Sequence, residues 1–251
     1  MNDLLTTLSN FIPISLEEME HVALLDRIDT KFVIHEDQLP GYLEEITSQY
    51  SLLKIDGKTL HPYETLYFDT PGFHLYQMHH NGKLNRYKLR CRKYVNSGIS
   101  FFEIKTKYNT SRTVKERMQV ANIPEMLDEP LNQYISDHTP GEYHEYIPAL
   151  RVFFDRLTLV NKQANERLTF DLNLRYKCNG FEKKIQKMVI VEVKQEKFSF
   201  SPYMELMQMH RKPANYLSKY CMGLSCMHKE LKMNNFKQKI KELNRLGYDI
   251  H

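Results

Sequence analysis

Seven consecutive residues, Arg86-Tyr87-Lys88-Leu89-Arg90-Cys91-Arg92, alternate a cation with an uncharged side chain. Side chains of an extended strand alternate across the sheet, so Arg86, Lys88, Arg90 and Arg92 share one face. Four cations in a row repel one another. They cannot line a dry core, because unpaired buried charge costs several kcal/mol. Such a face meets solvent or an anion, and phosphate suits it. Arginine gives phosphate oxygens bidentate contacts, and lysine gives mobile point charges.

The pattern recurs along the chain. Glu103, Lys105 and Lys107 share a face of the next strand, and Lys115 and Arg117 share one after it. Arg167, Asp171 and Arg175 share another, and Glu192 and Lys194 lie opposite Val189, Val191 and Val193. Near the N-terminus, Arg27, Asp29 and Lys31 alternate with Ile28, Phe32 and Ile34 turned away. A half-exposed antiparallel sheet accounts for any one of these strands. Their recurrence, with cations in excess, points to the wet, basic interior of an open barrel that holds a polyanion. The isolated carboxylates Glu192, Glu103 and Asp171 are oxygen donors suited to a divalent cation bridging phosphates. Glu103 and Asp171 serve equally well as ion-pair partners of neighbouring cations. A nucleic-acid surface fits less well, because alternation puts Tyr87 opposite the basic face instead of interleaved with it.

Strands and flanking helices must position these residues. Ser15 followed by Glu18 reads as a capping box opening a helix over 15–25. Strands are expected at 27–34, 65–68, 84–94, 100–107, 112–120, 149–159, 167–176 and 188–193, and helices at 36–50, 204–210, 216–222 and 229–246. Thr70-Pro71-Gly72 and Asn96-Ser97-Gly98 read as turns, and Asn179-Gly180 as a hairpin turn before the last strand. The stretch 123–143, with Pro124, Pro130, Pro140 and Gly141, reads as helix plus irregular connection. Asp69, at a strand end before Pro71, reads as a turn-stabilising residue. His79 and His80, placed on an extended strand, face opposite ways and make a poor ligand pair.

The 251 residues are 41% hydrophobic and 26% charged, with a net charge of +4, so the composition is globular and any anion site must concentrate its cations locally. One domain over 1–251 is expected, with a core at about 20–225 and a C-terminal helix at 229–246. The four cysteines form no CxxC pair and read as free thiols of a reducing compartment. The sequence shows neither a secretory signal nor an apolar run of the roughly 20 residues that span a bilayer. It therefore reads as soluble and cytoplasmic.

Several segments in order resemble the VTC domain, named for the vacuolar transporter chaperone, of the triphosphate tunnel metalloenzyme (CYTH-like) superfamily. They include Arg27-Ile28-Asp29-Thr30-Lys31-Phe32, Tyr67-Phe68-Asp69-Thr70-Pro71, Lys88-Leu89-Arg90-Cys91-Arg92-Lys93-Tyr94 and Phe102-Glu103-Ile104-Lys105-Thr106-Lys107. Further on come Lys115-Glu116-Arg117, Leu150-Arg151-Val152-Phe153-Phe154-Asp155-Arg156, Glu166-Arg167-Leu168-Thr169-Phe170-Asp171, Val191-Glu192-Val193-Lys194 and Ser218-Lys219-Tyr220. The resemblance implies an α+β fold, an antiparallel eight-stranded β-barrel with flanking helices. It also implies transfer of the γ-phosphate of ATP onto polyphosphate with a divalent metal, Mn2+ or Mg2+.

Carried over by position, Lys31, Arg90, Arg92, Lys105, Lys115, Arg156 and Arg167 correspond to phosphate-binding cations. Ser218 and Lys219 correspond to a late contact from a helix, and Glu192 to the metal ligand. Arg90, Arg92, Lys105 and Arg156 are the expected catalytic set. Lys88, Arg117 and Lys194 join the substrate-binding cations on face alternation. Phe154 stands where polymerase members carry a phosphate-touching tyrosine. The sister CYTH branch opens with Glu-x-Glu-x-Lys, whereas Arg27-Ile28-Asp29-Thr30-Lys31 keeps one carboxylate, which favours the VTC branch. The alternatives on the same scaffold are a tri- or polyphosphatase, a nucleoside triphosphate hydrolase, and a non-catalytic polyphosphate-binding module. Eukaryotic polymerase relatives work within membrane complexes, so the resemblance leaves room for a membrane-protein partner.

Overall fold

A computed structural model describes residues 2–20, 28–109, 113–139, 145–215 and 218–250. In chain order the elements begin α1 (Asn2–Ser9), β1 (Ile12–Ile14), α2 (Leu16–Glu20), β2 (Ile28–His35), α3 (Leu39–Ile46), β3 (Tyr50–Leu53), β4 (His61–Asp69) and α4 (His74–His80). They continue β5 (Arg86–Tyr94), β6 (Ser100–Lys107), β7 (Thr113–Val120), α5 (Glu129–His138), β8 (Ile147–Asn161), β9 (Glu166–Cys178) and β10 (Phe181–Lys184). The last are β11 (Met188–Gln195), α6 (Pro202–Met209), α7 (Lys219–Met227) and α8 (Lys237–Arg245). The fold is α+β. Its main sheet path runs β2-β11-β9-β8-β4-β5-β6-β7, and among the described residues no pairing joins β7 to β2. Off the path, β1 pairs β3 in parallel, β3 pairs β8, and β10 pairs β9.

The chain divides into two compact units, one of Met1–His61, Asp155–Leu174 and Gln186–Tyr216, the other of Pro62–Phe154, Arg175–Ile185 and Leu217–His251. In the first, β11 runs antiparallel to both β2 and β9. The strands turn Phe32, Ile34, Val189, Val191, Val193, Leu168 and Phe170 into a core shared with Leu43 and Ile46 of α3 and Tyr203 and Met207 of α6. In the second, β5 runs antiparallel to β4 and β6, and β6 to β7. Tyr87, Leu89 and Cys91 meet Leu66, Phe68, Phe102 and Ile104 in a separate core, covered by Leu75 of α4 and Leu131 and Ile135 of α5. Burying each large apolar side chain stabilises by roughly 1.5–3 kcal/mol. That gain fixes which face of every strand is dry, and so which face carries the charges.

Local rules explain most boundaries. The Ser15 N–H donates to Glu18 Oε2 at 2.7 Å and the Glu18 N–H to Ser15 Oγ at 3.2 Å, the reciprocal capping box expected. The remainder of that expected helix, Arg27 and Arg112 lie outside the described residues. The helix expected over 36–50 is a 3-10 turn at Glu36–Gln38 followed by α3, and Tyr50 already opens β3. Pro40 offers no N–H to continue α-helical bonding from the turn. Residues 74–80 form α4, so His79 and His80 end a helix and do not sit on a strand. Asn179 (φ +49°) and Gly180 (φ +80°) make the expected turn, yet it leads into the short strand β10 before β11 begins. The expected helix over 229–246 narrows to α8, whose end is followed by Gly247 at φ +88°.

Candidate functional site

In the second unit the register sets the charges in rows. Lys88 of β5 lies opposite Lys105 of β6, which lies opposite Lys115 of β7. Beside this row run Arg90, Glu103 and Arg117, and flanking pairs are Arg92 with Phe101 and Arg86 with Lys107. Eight cations (Arg86, Lys88, Arg90, Arg92, Lys105, Lys107, Lys115, Arg117) thus share a face with one carboxylate, Glu103.

Glu103 is 1% exposed and sits at the centre of this charge. Arg90 donates Nε and Nη2 to its Oε2 at 2.7 and 2.6 Å, and Lys115 pairs with its Oε1. Burial opposes charge on Glu103, but Arg90, Arg92 and Lys115 outweigh it and hold the carboxyl well below its usual range. Lys115 is shifted down, first by burial and then by Arg90 and Arg92, against the pull of Glu103. The two directions agree physically, because the face holds more positive charge than its carboxylate balances. A bound anion would relieve it.

Arg92 is 9% exposed, donates Nε to Thr65 Oγ1 at 3.2 Å, and lies 5.5 Å from the Tyr63 ring and 5.8 Å from the Phe154 ring. Tyr63 and Phe154 stack at 5.1 Å and 11°. Lys219 Nζ stands 4.9 Å over the same Phe154 ring. Arg117 lies 4.7 Å over Phe101. Lys219 opens α7, and Ser218 caps that helix by accepting the Cys221 N–H at 3.1 Å. The α7 backbone packs closely here, because a Cβ on Gly223 would fall 2.5 Å from Leu150 and Tyr176. Asp69, fully buried, accepts the N–H groups of Thr70, Leu75 and Tyr76 at 2.7–2.9 Å, together with the Tyr220 hydroxyl. It thereby fastens the start of α4 to the first turn of α7.

The first unit has a different balance. Lys31, Glu192 and Thr169 form one row across β2, β11 and β9, and Asp29, Lys194 and Arg167 form the next. Glu192 Oε1 lies 2.9 Å from Lys31 Nζ, and its Oε2 lies 2.6 Å from Lys194 Nζ. Lys194 also donates to Thr169 Oγ1 at 3.1 Å. Arg156 grips Asp171 in a bidentate pair, Nε to Oδ1 at 2.6 Å and Nη2 to Oδ2 at 2.9 Å. Burial opposes charge on Glu192, yet Lys194, Lys31 and Arg156 keep it ionised. Burial pulls Lys194 down to about 7, Glu192 opposes that shift, and Arg156 adds to it. Lys31 is raised, since Glu192, Asp29 and Asp171 together exceed the effect of its burial.

The structure therefore brings Lys88, Arg90, Arg92, Glu103, Lys105, Lys115 and Arg117 onto one face of the second unit, and Lys31, Arg156, Arg167, Asp171, Glu192 and Lys194 together in the first. Ser218 and Lys219 belong to the second unit through α7. Sequence reasoning placed His79 on a strand and set it aside as a ligand, whereas it ends α4 beside the basic face. Burial, then Lys88, Arg86, Lys105 and Lys107, drive its imidazole strongly to the neutral form. Sequence reasoning missed Thr65, Thr169 and Tyr63, polar or aromatic residues on the charged faces that strand alternation could have supplied.

The VTC-domain family profile matches residues 26–228. A search of curated proteins returned no match. Among solved structures, a candidate adenylate cyclase from Vibrio parahaemolyticus is 14% identical, covers 79% of this chain and 97% of its own, and superposes with a TM-score of 0.47. A candidate adenylyl cyclase from Hippeastrum, described as having a dominant triphosphatase activity, is 12% identical over 79% of this chain and 96% of its own, with a TM-score of 0.44. A candidate adenylate cyclase from Bacillus halodurans is 13% identical over 76% and 93%, with a TM-score of 0.47. With matched residues spanning most of the sequence and the charged faces in place, the chain belongs to the VTC-domain family.

Proposed function

We propose that the protein is a polyphosphate polymerase that transfers the γ-phosphate of ATP to the end of a growing polyphosphate chain. Family membership supports a function on polyphosphate or triphosphate. The observation that carries the reading is the second unit's face of eight cations around one carboxylate, where even Lys115 is shifted toward neutrality. An anion of many charges completes such a face, and a chain of phosphates matches its rows.

In this reading Arg90, Arg92 and Lys105 on the second unit's face, and Arg156 on the first's, are the catalytic cations. Lys31, Lys88, Lys115, Arg117, Arg167, Lys194, Ser218 and Lys219 hold phosphates. The terminal acceptor oxygen attacks the γ-phosphorus and the bond to the β-phosphate oxygen breaks, leaving ADP. No side-chain nucleophile is needed, because this chemistry asks for alignment and charge neutralisation. Glu103 orients Arg90 and Lys115.

No group of three or more His, Cys, Asp or Glu side chains placed to hold a metal occurs among the described residues. Glu192 and Asp171 nevertheless project from the same sheet face, Glu192 standing opposite Thr169, two residues from Asp171. Each oxygen of the two is paired in this structure, Glu192 with Lys31 and Lys194 and Asp171 with Arg156, so these carboxylates would hold a divalent cation of the Mg2+ or Mn2+ class in place of those pairs. When bound, such an ion neutralises charge on the transferring group.

Phe154 supports a second reading. It presents a bare ring, stacked on Tyr63, where polymerase members carry a hydroxyl. A hydrolase on the same scaffold, or a polyphosphate-binding module, follows if transfer depends on that group. No helix among the described residues is long and apolar enough to cross a membrane. Purified protein and its Glu192→Ala variant, given ATP and Mn2+, test the assignment. Loss of turnover with tripolyphosphate binding largely kept is expected, and unchanged turnover in Glu192→Ala rejects it.

A further inference from the structure

Cys178 ends β9, next to the Asn179-Gly180 turn, and is partly exposed. Its thiol donates to the carbonyl oxygen of Ala149 at 3.2 Å, and the same Sγ lies 3.3 Å from His228 Nε2, the second acceptor within reach of its one proton. His228 follows the last turn of α7, and its ring packs edge-on against Phe73 at 4.8 Å. On the far side of the ring, Nδ1 lies 2.8 Å from Glu230 Oε1. A carboxylate only accepts, so Nδ1 carries a proton. In the neutral ring Nε2 is then the acceptor that faces the thiol. Thiol, imidazole and carboxylate stand in the order that generates a nucleophile by proton removal at the moment of attack. A cleft of about 210 Å³, lined by Ala149, Arg151, Lys177, Cys178 and Gly180 among others, reaches this residue.

We infer that Cys178 is a peroxide-reactive thiol, activated by His228 and Glu230, and the site at which this protein is first oxidised. Burial, with Glu230 adding to it, raises the Cys178 thiol, so the resting group is protonated and depends on its neighbouring base. In the step, Sγ attacks one oxygen of hydrogen peroxide. The S–O bond forms as the O–O bond breaks. Sulfur is oxidised by two electrons to the sulfenic acid, and the peroxide is reduced. His228 Nε2 takes the thiol proton and passes it to the departing hydroxide, which leaves as water. The other thiols are less suited. Cys91 and Cys221 are buried, and burial pushes Cys226 up to about 12.

The test exposes the full chain to hydrogen peroxide, traps sulfenic acid with dimedone and maps the label on all four cysteines by mass spectrometry. Label is expected first on Cys178. Its rate should fall on the order of 10²-fold in His228→Ala, the low end for a positioned general base. Glu230→Gln should slow it several-fold, and because the Glu230 side chain is 71% exposed this variant decides the matter if His228→Ala fails to fold. Labelling led by another cysteine overturns the inference. So does a Cys178 rate unchanged in folded His228→Ala or, failing that, in Glu230→Gln.

Discussion

Replacing Glu103 with glutamine keeps its shape and removes the one negative charge on the second unit's basic face. Arg90, with a side chain 19% exposed, then loses a partner that it holds through two nitrogens, and Lys115, 37% exposed, loses its ion pair. Breaking a buried pair by removing one partner costs about 3–5 kcal/mol. Lys115 is wet enough for solvent to screen its part, so the lower end, about 3 kcal/mol, applies here. For a chain of this size that corresponds to a melting midpoint lowered by roughly 6–12 °C. Tripolyphosphate at 100 times its Kd stabilises a folded protein by about 2.7 kcal/mol. In Glu103→Gln the anion also replaces the missing charge, so its stabilising shift should exceed that seen in the parent. Differential scanning calorimetry with and without tripolyphosphate reads both effects. A variant melting within about 2 °C of the parent, or one gaining no more from tripolyphosphate, would refute the view that Glu103 is the internal counter-ion of an anion-binding face.

Three further outcomes follow from the same geometry. Lys194, at about 7, is cationic below that pH, the form in which the proposed function has it hold a phosphate. Tripolyphosphate affinity should therefore fall as pH rises through about 7, and binding at pH near 8 should take up a proton, measurable by calorimetry in buffers of different ionisation enthalpy. Lys194→Arg, which stays charged, should abolish that uptake, and uptake persisting in it would contradict the assignment. Asp69→Asn weakens a buried acceptor of three N–H groups and the Tyr220 hydroxyl, so a loss of about 3 kcal/mol is expected in urea denaturation, with faster amide exchange at Leu75 and Tyr76. Gly223→Ala places a methyl 2.5 Å from Leu150 and Tyr176, and should cost about 1–3 kcal/mol and, with Lys219 holding phosphate as proposed, reduce tripolyphosphate affinity.

The charged faces were legible because strand period is a local property. Alternation assigned Arg86, Lys88, Arg90 and Arg92 to one face, and the strand at Ser100–Lys107 has the bounds its pattern implied. What alternation does not carry is register. That Glu103 serves Arg90 and Lys115, while Asp171 serves Arg156, depends on which residues the turns bring opposite one another. Helix α4 was illegible for a related reason. Its first N–H groups are captured by Asp69 from the preceding strand, so it owes its start to a carboxylate outside its own sequence. Placing His79 on that helix, against Lys88 and Lys105, changes it from a poor metal ligand on a strand to a neutral group beside the basic face. The parallel pairing of β1 with β3 involves strands of three and four residues, too short for a periodic signal.

The central claim is that this basic, carboxylate-poor arrangement moves phosphate onto phosphate. Phosphorus NMR of the protein incubated with ATP and Mn2+ tests it most directly, because chain-interior phosphates, ADP and free phosphate give separate signals. The account predicts a growing chain-interior signal matched by ADP. Free phosphate appearing with ADP and no interior signal would contradict it and establish a hydrolase. ATP left intact, with polyphosphate still bound tightly, would contradict it in favour of a binding module.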